Sequence, residues 1–169
     1  GQGDDVISIN DLSFQVIDGG LGNDTLNILG VGLDLNLATT SETRLSGIET
    51  IVLANSTFSV LSVSPRRVLN LNPLSNSLTV RGDASSLVNL TVGWGETDSQ
   101  IDGGVTYRVF VSGQARVRVQ QEIVVFMPEI LLAELSGETG SFLFAGNAND
   151  EFGNSIESAG DINGDGFDD

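Results

Sequence analysis

Short runs in which apolar and polar residues alternate cover most of the chain between residues 33 and 125. Examples are IETIVL, NSLTVRGD, VNLTVGW, VTYRVFVSG and ARVRVQ. Alternation of period two puts the apolar side chains on one face of a β-strand, and the stretches between the runs (SPRR, NPLSNS, GETDSQIDGG) are rich in turn-forming residues. The only helical candidates are a turn around residues 64–69 and the stretch 128–135. The pattern therefore predicts an all-β fold.

The two ends of the chain differ in composition from its middle. Residues 1–32, and again the stretch that follows EIVVFMPEILLAEL, are rich in Gly, Asn and acidic residues. We therefore predict three regions, 1–32, 33–125 and 126–169. The middle region is expected to form a β-rich solenoid or sandwich in which Val, Leu and Ile point inward and Ser, Thr and Asn cover the outside.

Charge and composition narrow the classes of partner. The net charge of −16 argues against binding to a nucleic-acid backbone, which is itself a polyanion, and favours cations. The chain has no Cys, His or Lys, which removes thiol and imidazole chemistry, Schiff bases and the usual zinc ligands. No apolar run is long enough to cross a bilayer. A metal ion that prefers oxygen ligands is the first candidate partner.

The sequence GGLGNDTLN at residues 19–27 offers such ligands. Its glycines allow the positive φ of a tight turn, Asp24 supplies a carboxylate, and Leu26 begins a strand that packs inward. Because Ca²⁺ prefers about six to eight oxygen atoms, two stacked turns must share one ion. GQGDDVIS at residues 1–8 supplies the second turn. The matching positions are Gly1, Gly3 and Asp5 in one turn and Gly20, Gly22 and Asp24 in the other.

These turns resemble the nonapeptide repeat of RTX (hemolysin-type) proteins, GGxGxDxUx, in which U is a large apolar residue. Residues 19–27 match it in full, and the copy at residues 1–8 lacks the first glycine. The resemblance implies a parallel β-roll whose turns bind Ca²⁺ through the six residues just named. Asp5 and Asp24 are separated by one residue more than two nonapeptides would give, which makes this a degenerate roll edge. The alternative is that Gly and Asp simply form hairpin turns.

The motif DINGDGFDD at residues 161–169 is a second candidate for calcium. A Ca²⁺ loop takes ligands from alternate positions and needs a glycine at the sharp turn, here Gly166. With Phe152 and Gly153 upstream, the stretch resembles the FG-GAP repeat of integrin α-type β-propellers, which implies that residues 126–169 hold a linker and a partial β-propeller blade. The ligands implied are Asp161, Asn163, Asp165, Phe167 through its carbonyl, and Asp169. A solvated acidic turn is the alternative.

Together the two resemblances imply a non-catalytic, calcium-binding structural or adhesion module of a secreted or cell-surface bacterial protein. We expect its folding to be coupled to extracellular Ca²⁺ and its further partner to be an extracellular protein or glycan. The alternatives are an accessory region of a secreted hydrolase or protease, and a β-helical glycan-active enzyme that uses paired carboxylates. The acidic residues of the middle region are scattered, which disfavours the enzyme. They are Asp34, Glu42, Glu49, Asp83, Glu96, Asp98, Asp102 and Glu122.

Overall fold

The computed structural model describes residues 1–53 and 59–128, which lie within one compact unit, Gly1–Glu129. This part of the chain is mostly β-structure with one short helix, in agreement with the predicted all-β class. Its elements in chain order are β1 (Val6–Ile9), β2 (Ile17–Asp18), β3 (Thr25–Ile28), β4 (Asp34–Asn36), β5 (Leu45–Ser46), β6 (Thr50–Leu53), β7 (Ser59–Val63), α1 (Pro65–Leu71), β8 (Ser77–Arg81), β9 (Ser86–Leu90), β10 (Gly95–Asp102), β11 (Val105–Ser112), β12 (Ala115–Gln120) and β13 (Val124–Phe126).

The strands form two larger sheets by successive coils of the chain. One sheet has the order β1-β3-β6-β8-β12-β11-β10 and the other β13-β9-β7-β4, while β2 and β5 form a small third sheet. The neighbours from β1 to β12 in the first sheet are parallel, and so are all neighbours in the second. From β3 onward each coil therefore adds one strand to each large sheet. We call β3 with β4, β6 with β7, and β8 with β9 successive rungs.

The core lies between the inward faces of these strands. Leu26 on β3 is in register with Ile51 on β6, which is in register with Val80 on β8, and none of the three is exposed. Their neighbours Thr25 and Thr50 face outward and are partly exposed. This is the inward and outward alternation predicted from the sequence, and burial of each such aliphatic side chain stabilises the fold by about 1.5–3 kcal/mol.

Helix α1 connects β7 to β8 in the stretch for which the sequence predicts a helical turn. It begins because the Ser64 hydroxyl accepts a hydrogen bond from the Arg67 amide and because Pro65 has a φ suited to the first helical position. Val68 and Leu71 bury its inner face against the core. Among the described residues, no helix is long and apolar enough to cross a membrane.

One turn prediction is wrong. The stretch GETDSQIDGG, interpreted as a turn, forms the eight-residue strand β10 and the start of its hairpin with β11. All residues of β10 are exposed, so no apolar alternation marks it as a strand, and main-chain pairing with β11 supports it instead. Gly103 and Gly104 make the connection with φ values of 58° and 82°, the positive values that a tight hairpin turn needs.

Candidate metal centre

The two glycine-rich turns predicted to share an ion lie directly on one another. The Gly3 amide donates to the Leu21 carbonyl at 2.7 Å, and the Leu21 amide donates to the Gly1 carbonyl at 3.1 Å. The Asp5 amide donates to Asp24 Oδ1 at 2.8 Å, which aligns the acidic ends of the two turns. The structure thus brings together the six N-terminal residues that the sequence singles out.

Only glycine fits the second turn. Gly20 and Gly22 have φ values of 98° and 145°, which L side chains rarely adopt. A Cβ at Gly20 would lie 2.1 Å from the Gly1 carbonyl oxygen, and one at Gly22 would lie 2.3 Å from the Gly3 carbonyl oxygen. The turns can approach so closely only because both positions lack a side chain.

Asp24 is fully buried at the end of this stack, and its carboxylate is incompletely satisfied. Oδ1 accepts the Asp5 amide, whereas Oδ2 has no hydrogen-bond partner among the described residues. Oδ2 lies close to the Gly19 backbone, because a Cβ added to Gly19 would lie 2.6 Å from Oδ2. The same Cβ would lie 2.0 Å from the Gly47 carbonyl oxygen. A buried carboxylate oxygen without a hydrogen-bond donor is costly unless a cation neutralises it.

A third acidic residue, Glu49, extends the stack into the next rung. Thr25 is in register with Thr50, which places Glu49 beside Asp24. One Glu49 carboxylate oxygen accepts the Asp24 amide at 2.5 Å, and the other accepts the side-chain amide of Asn72. Burial raises the pKa of Glu49, and the negative charge of Asp24 raises this pKa further. The carboxylates of Asp24 and Glu49 are therefore held close together in a partly desolvated environment.

The sequence interpretation missed Glu49 by counting it among the scattered acids. Its signal is visible once the register is known: Gly47, Glu49 and Ile51 repeat the spacing of Gly22, Asp24 and Leu26. Gly47 also has a positive φ of 58°. The third turn is thus a shortened copy of the glycine turn, with Glu in place of Asp and without the leading glycine pair.

The donor set of this stack fits a hard cation. Carboxylate oxygens of Asp24 and Glu49 and the carbonyl oxygens of the glycine turns are the ligand types that Ca²⁺ takes. Within residues 1–53 and 59–128, no three acidic side chains converge on one point. Asp24, the turn carbonyls and Glu49 would hold the ion, and Asp5, whose side chain is half exposed, lies at the open end of the stack.

The predicted C-terminal calcium loop lies outside the described residues. This concerns the second set of predicted ligands: Asp161, Asn163, Asp165, Phe167 and Asp169. Only the N-terminal stack therefore has a described geometry. No protein-family model, curated protein sequence or solved structure matches the chain.

Proposed function

We propose that this chain is a non-catalytic, calcium-binding structural module of a secreted or cell-surface bacterial protein, and that bound Ca²⁺ completes its fold. The observation that carries the proposal is the fully buried Asp24 carboxylate, whose Oδ2 lacks a hydrogen-bond donor among the described residues. A divalent cation provides the positive charge that such an oxygen needs. The matching glycine turns, stacked by main-chain hydrogen bonds, supply further carbonyl oxygens.

The proposed architecture is a parallel β-roll with a degenerate edge. The parallel register from β1 through β3 and β6 to β8, and the repeat of a glycine turn before three of these strands, support it. Rungs of unequal length replace the strict nonapeptide period. A third turn, at Gly47 and Glu49, would extend the proposed roll one turn beyond the sequence motif.

The proposed mechanism follows from charge. Without metal, Asp24 and Glu49 repel one another, and the net charge of −16 adds a general repulsion that opposes compaction. At the low calcium concentration of a cytosol the N-terminal turns would stay loose, and outside the cell the binding free energy of Ca²⁺ would add to the folding free energy. Export and folding would then be coupled. The FG-GAP-like loop beginning at Asp161 would add a second calcium site.

A calorimetric titration of the metal-stripped chain tests this function. We expect Ca²⁺ to bind and Mg²⁺ to bind poorly, because Mg²⁺ demands a smaller and stricter octahedron. Asp24→Ala should remove one component of the heat and Asp161→Ala another. A wild-type chain that takes up no Ca²⁺, or a titration that neither substitution changes, would refute the proposal.

A further inference from the structure

The outward face of the long sheet carries a row of three arginines, Arg116, Arg118 and Arg81, which we call the arginine row. Arg116 and Arg118 lie on β12 in register with Ser77 and Thr79 on β8, and Arg81 lies two positions beyond Thr79. The residues between them on both strands face the core. At about 3.3 Å per residue, the row extends about 13 Å along the strands.

Neutral groups orient two of these guanidinium groups. Nε and Nη2 of Arg118 donate to Thr79 Oγ1 at 3.2 and 2.9 Å, and Cζ of Arg118 lies 5.4 Å from the centre of the Tyr107 ring. Arg81 Nε donates to the Tyr107 hydroxyl at 3.0 Å. A hydroxyl group or an aromatic ring orients a guanidinium without cancelling its charge. The side chains are therefore held in place while their positive charge remains.

Little negative charge opposes the arginine row. Among the described residues, its only ion pair joins Arg118 to Asp102 at 3.3 Å, between side chains that are 28% and 58% exposed. The Arg116 side chain makes no hydrogen bond or ion pair within residues 1–53 and 59–128. Strands β8, β11 and β12 contain no acidic residue. Three of the seven basic residues of a chain with a net charge of −16 thus lie together.

We propose that the arginine row binds a linear acidic polysaccharide whose carboxylates belong to uronic acid residues. Arg81 is exposed and Arg116 is partly exposed, so both can be reached from solvent. The fork of a guanidinium group suits a carboxylate, and a row without a cavity suits an extended ligand with repeated charges. Ser77 and Gln120, at outward positions of the same strands, offer hydroxyl and amide groups for hydrogen bonds with sugar hydroxyls.

Two features of this face disfavour a nucleic acid as the partner. Tyr107 is 1% exposed, and the other outward positions of β8, β11 and β12 carry no aromatic ring on which a base could stack. The acidic remainder of the chain repels a dense line of phosphates more strongly than carboxylates spaced along a sugar chain. The row contains no residue of the glycine turns, so its ligand binding does not require Ca²⁺.

The test is a calorimetric titration of the full chain with a hexamer of galacturonate, in chelator and again with saturating Ca²⁺. Maltohexaose is the neutral comparison, and a single-stranded DNA oligonucleotide is the alternative polyanion. Arg116→Gln should weaken binding about five- to tenfold without lowering the thermal midpoint, because this side chain has no partner among the described residues. Arg66→Gln, whose wild-type side chain on α1 is 87% exposed, removes the same charge elsewhere and is the matched control. Asp102→Asn removes the acid paired with Arg118 and should tighten binding about two- to fivefold.

We expect saturable binding of the galacturonate hexamer that weakens in Arg116→Gln, tightens in Asp102→Asn, is unchanged in Arg66→Gln and falls as NaCl is raised. Maltohexaose binding of equal strength, or tighter binding of DNA, would overturn the assignment to an acidic polysaccharide. Absence of saturable binding under both conditions, or an equal loss in Arg66→Gln, would overturn the site itself. Binding that needs Ca²⁺ and is unchanged in Arg116→Gln would show bridging by the ion and would also overturn it. Arginine-dependent binding in a chain that takes up no Ca²⁺ would leave this site standing without the proposed calcium function.

Discussion

Replacement of Asp24 by asparagine gives the sharpest test of the buried carboxylate, because its effect should change sign with calcium. The asparagine side chain keeps an oxygen for the Asp5 amide and removes the negative charge from this buried position. In chelator the variant loses a buried, half-satisfied charge, which costs the wild type about 1–3 kcal/mol. We therefore expect Asp24→Asn to unfold about 4–12 °C higher than the wild type in chelator, at roughly 4 °C per kcal/mol for a unit of this size.

Calcium should reverse that order. A ligand at a thousand times its Kd adds about 4.1 kcal/mol, so the wild-type midpoint should rise by about 16 °C while Asp24→Asn gains only a small fraction of this. Differential scanning calorimetry in an Asp161→Ala background removes any contribution from the C-terminal loop. Asp98→Asn, on the exposed strand β10, is the control and should behave like the wild type. A variant that is less stable in chelator and responds to calcium like the wild type would show that Asp24 is only a hydrogen-bond acceptor.

Three further predictions concern the fold itself. Gly22→Ala should lower the free energy of unfolding by at least about 2 kcal/mol in urea titrations, because the added Cβ would lie 2.3 Å from a carbonyl oxygen. Gly103→Ala, which has open space around it, should lower it by only about 1 kcal/mol. Equal costs would contradict the close approach of the turns. Hydrogen bonds from Arg108 lower the pKa of Glu96, so its contribution to stability is present above the unfolded-state pKa and is lost as pH falls through the folded-state pKa. Thermal midpoints between about pH 7 and 3 should fall less steeply in Glu96→Gln, and parallel curves would refute this. Ile51→Ala should cost about 2–5 kcal/mol by chemical denaturation, because the side chain is fully buried between rungs, and a cost below about 1 kcal/mol would argue against that packing.

The sequence predicted strands well where one face is buried. The run ARVRVQ becomes β12 with alternating burial because its valines meet the core and its arginines do not. The sequence-based prediction failed at β10, because the residues of this strand are all exposed and the strand is held by main-chain pairing with β11 and by exposed side-chain contacts such as that of Glu96 with Arg108. The alternation did not distinguish a solenoid from a sandwich, because a period of two residues identifies the buried face of a strand but not the strand that pairs with it.

The candidate site was predictable only as far as the motif is complete. Asp24 follows a full set of turn glycines, so its place in a stacked turn could be predicted from the sequence alone. Glu49 follows a single glycine, and its relation to Asp24 appears only in the register between β3 and β6.

The coils of this chain keep their register although their lengths differ widely. Asp5 and Asp24 are 19 residues apart, Asp24 and Glu49 are 25 apart, and Thr79 and Arg118 are 39 apart, yet each pair lies on neighbouring coils. The longest interval contains the β10–β11 hairpin, which lies on the sheet edge without breaking the stack. The turn at Gly103 and Gly104 between β10 and β11, which has open space around it, is therefore a natural grafting point, where a foreign peptide or a reporter domain could be displayed while the repeating strands maintain the fold.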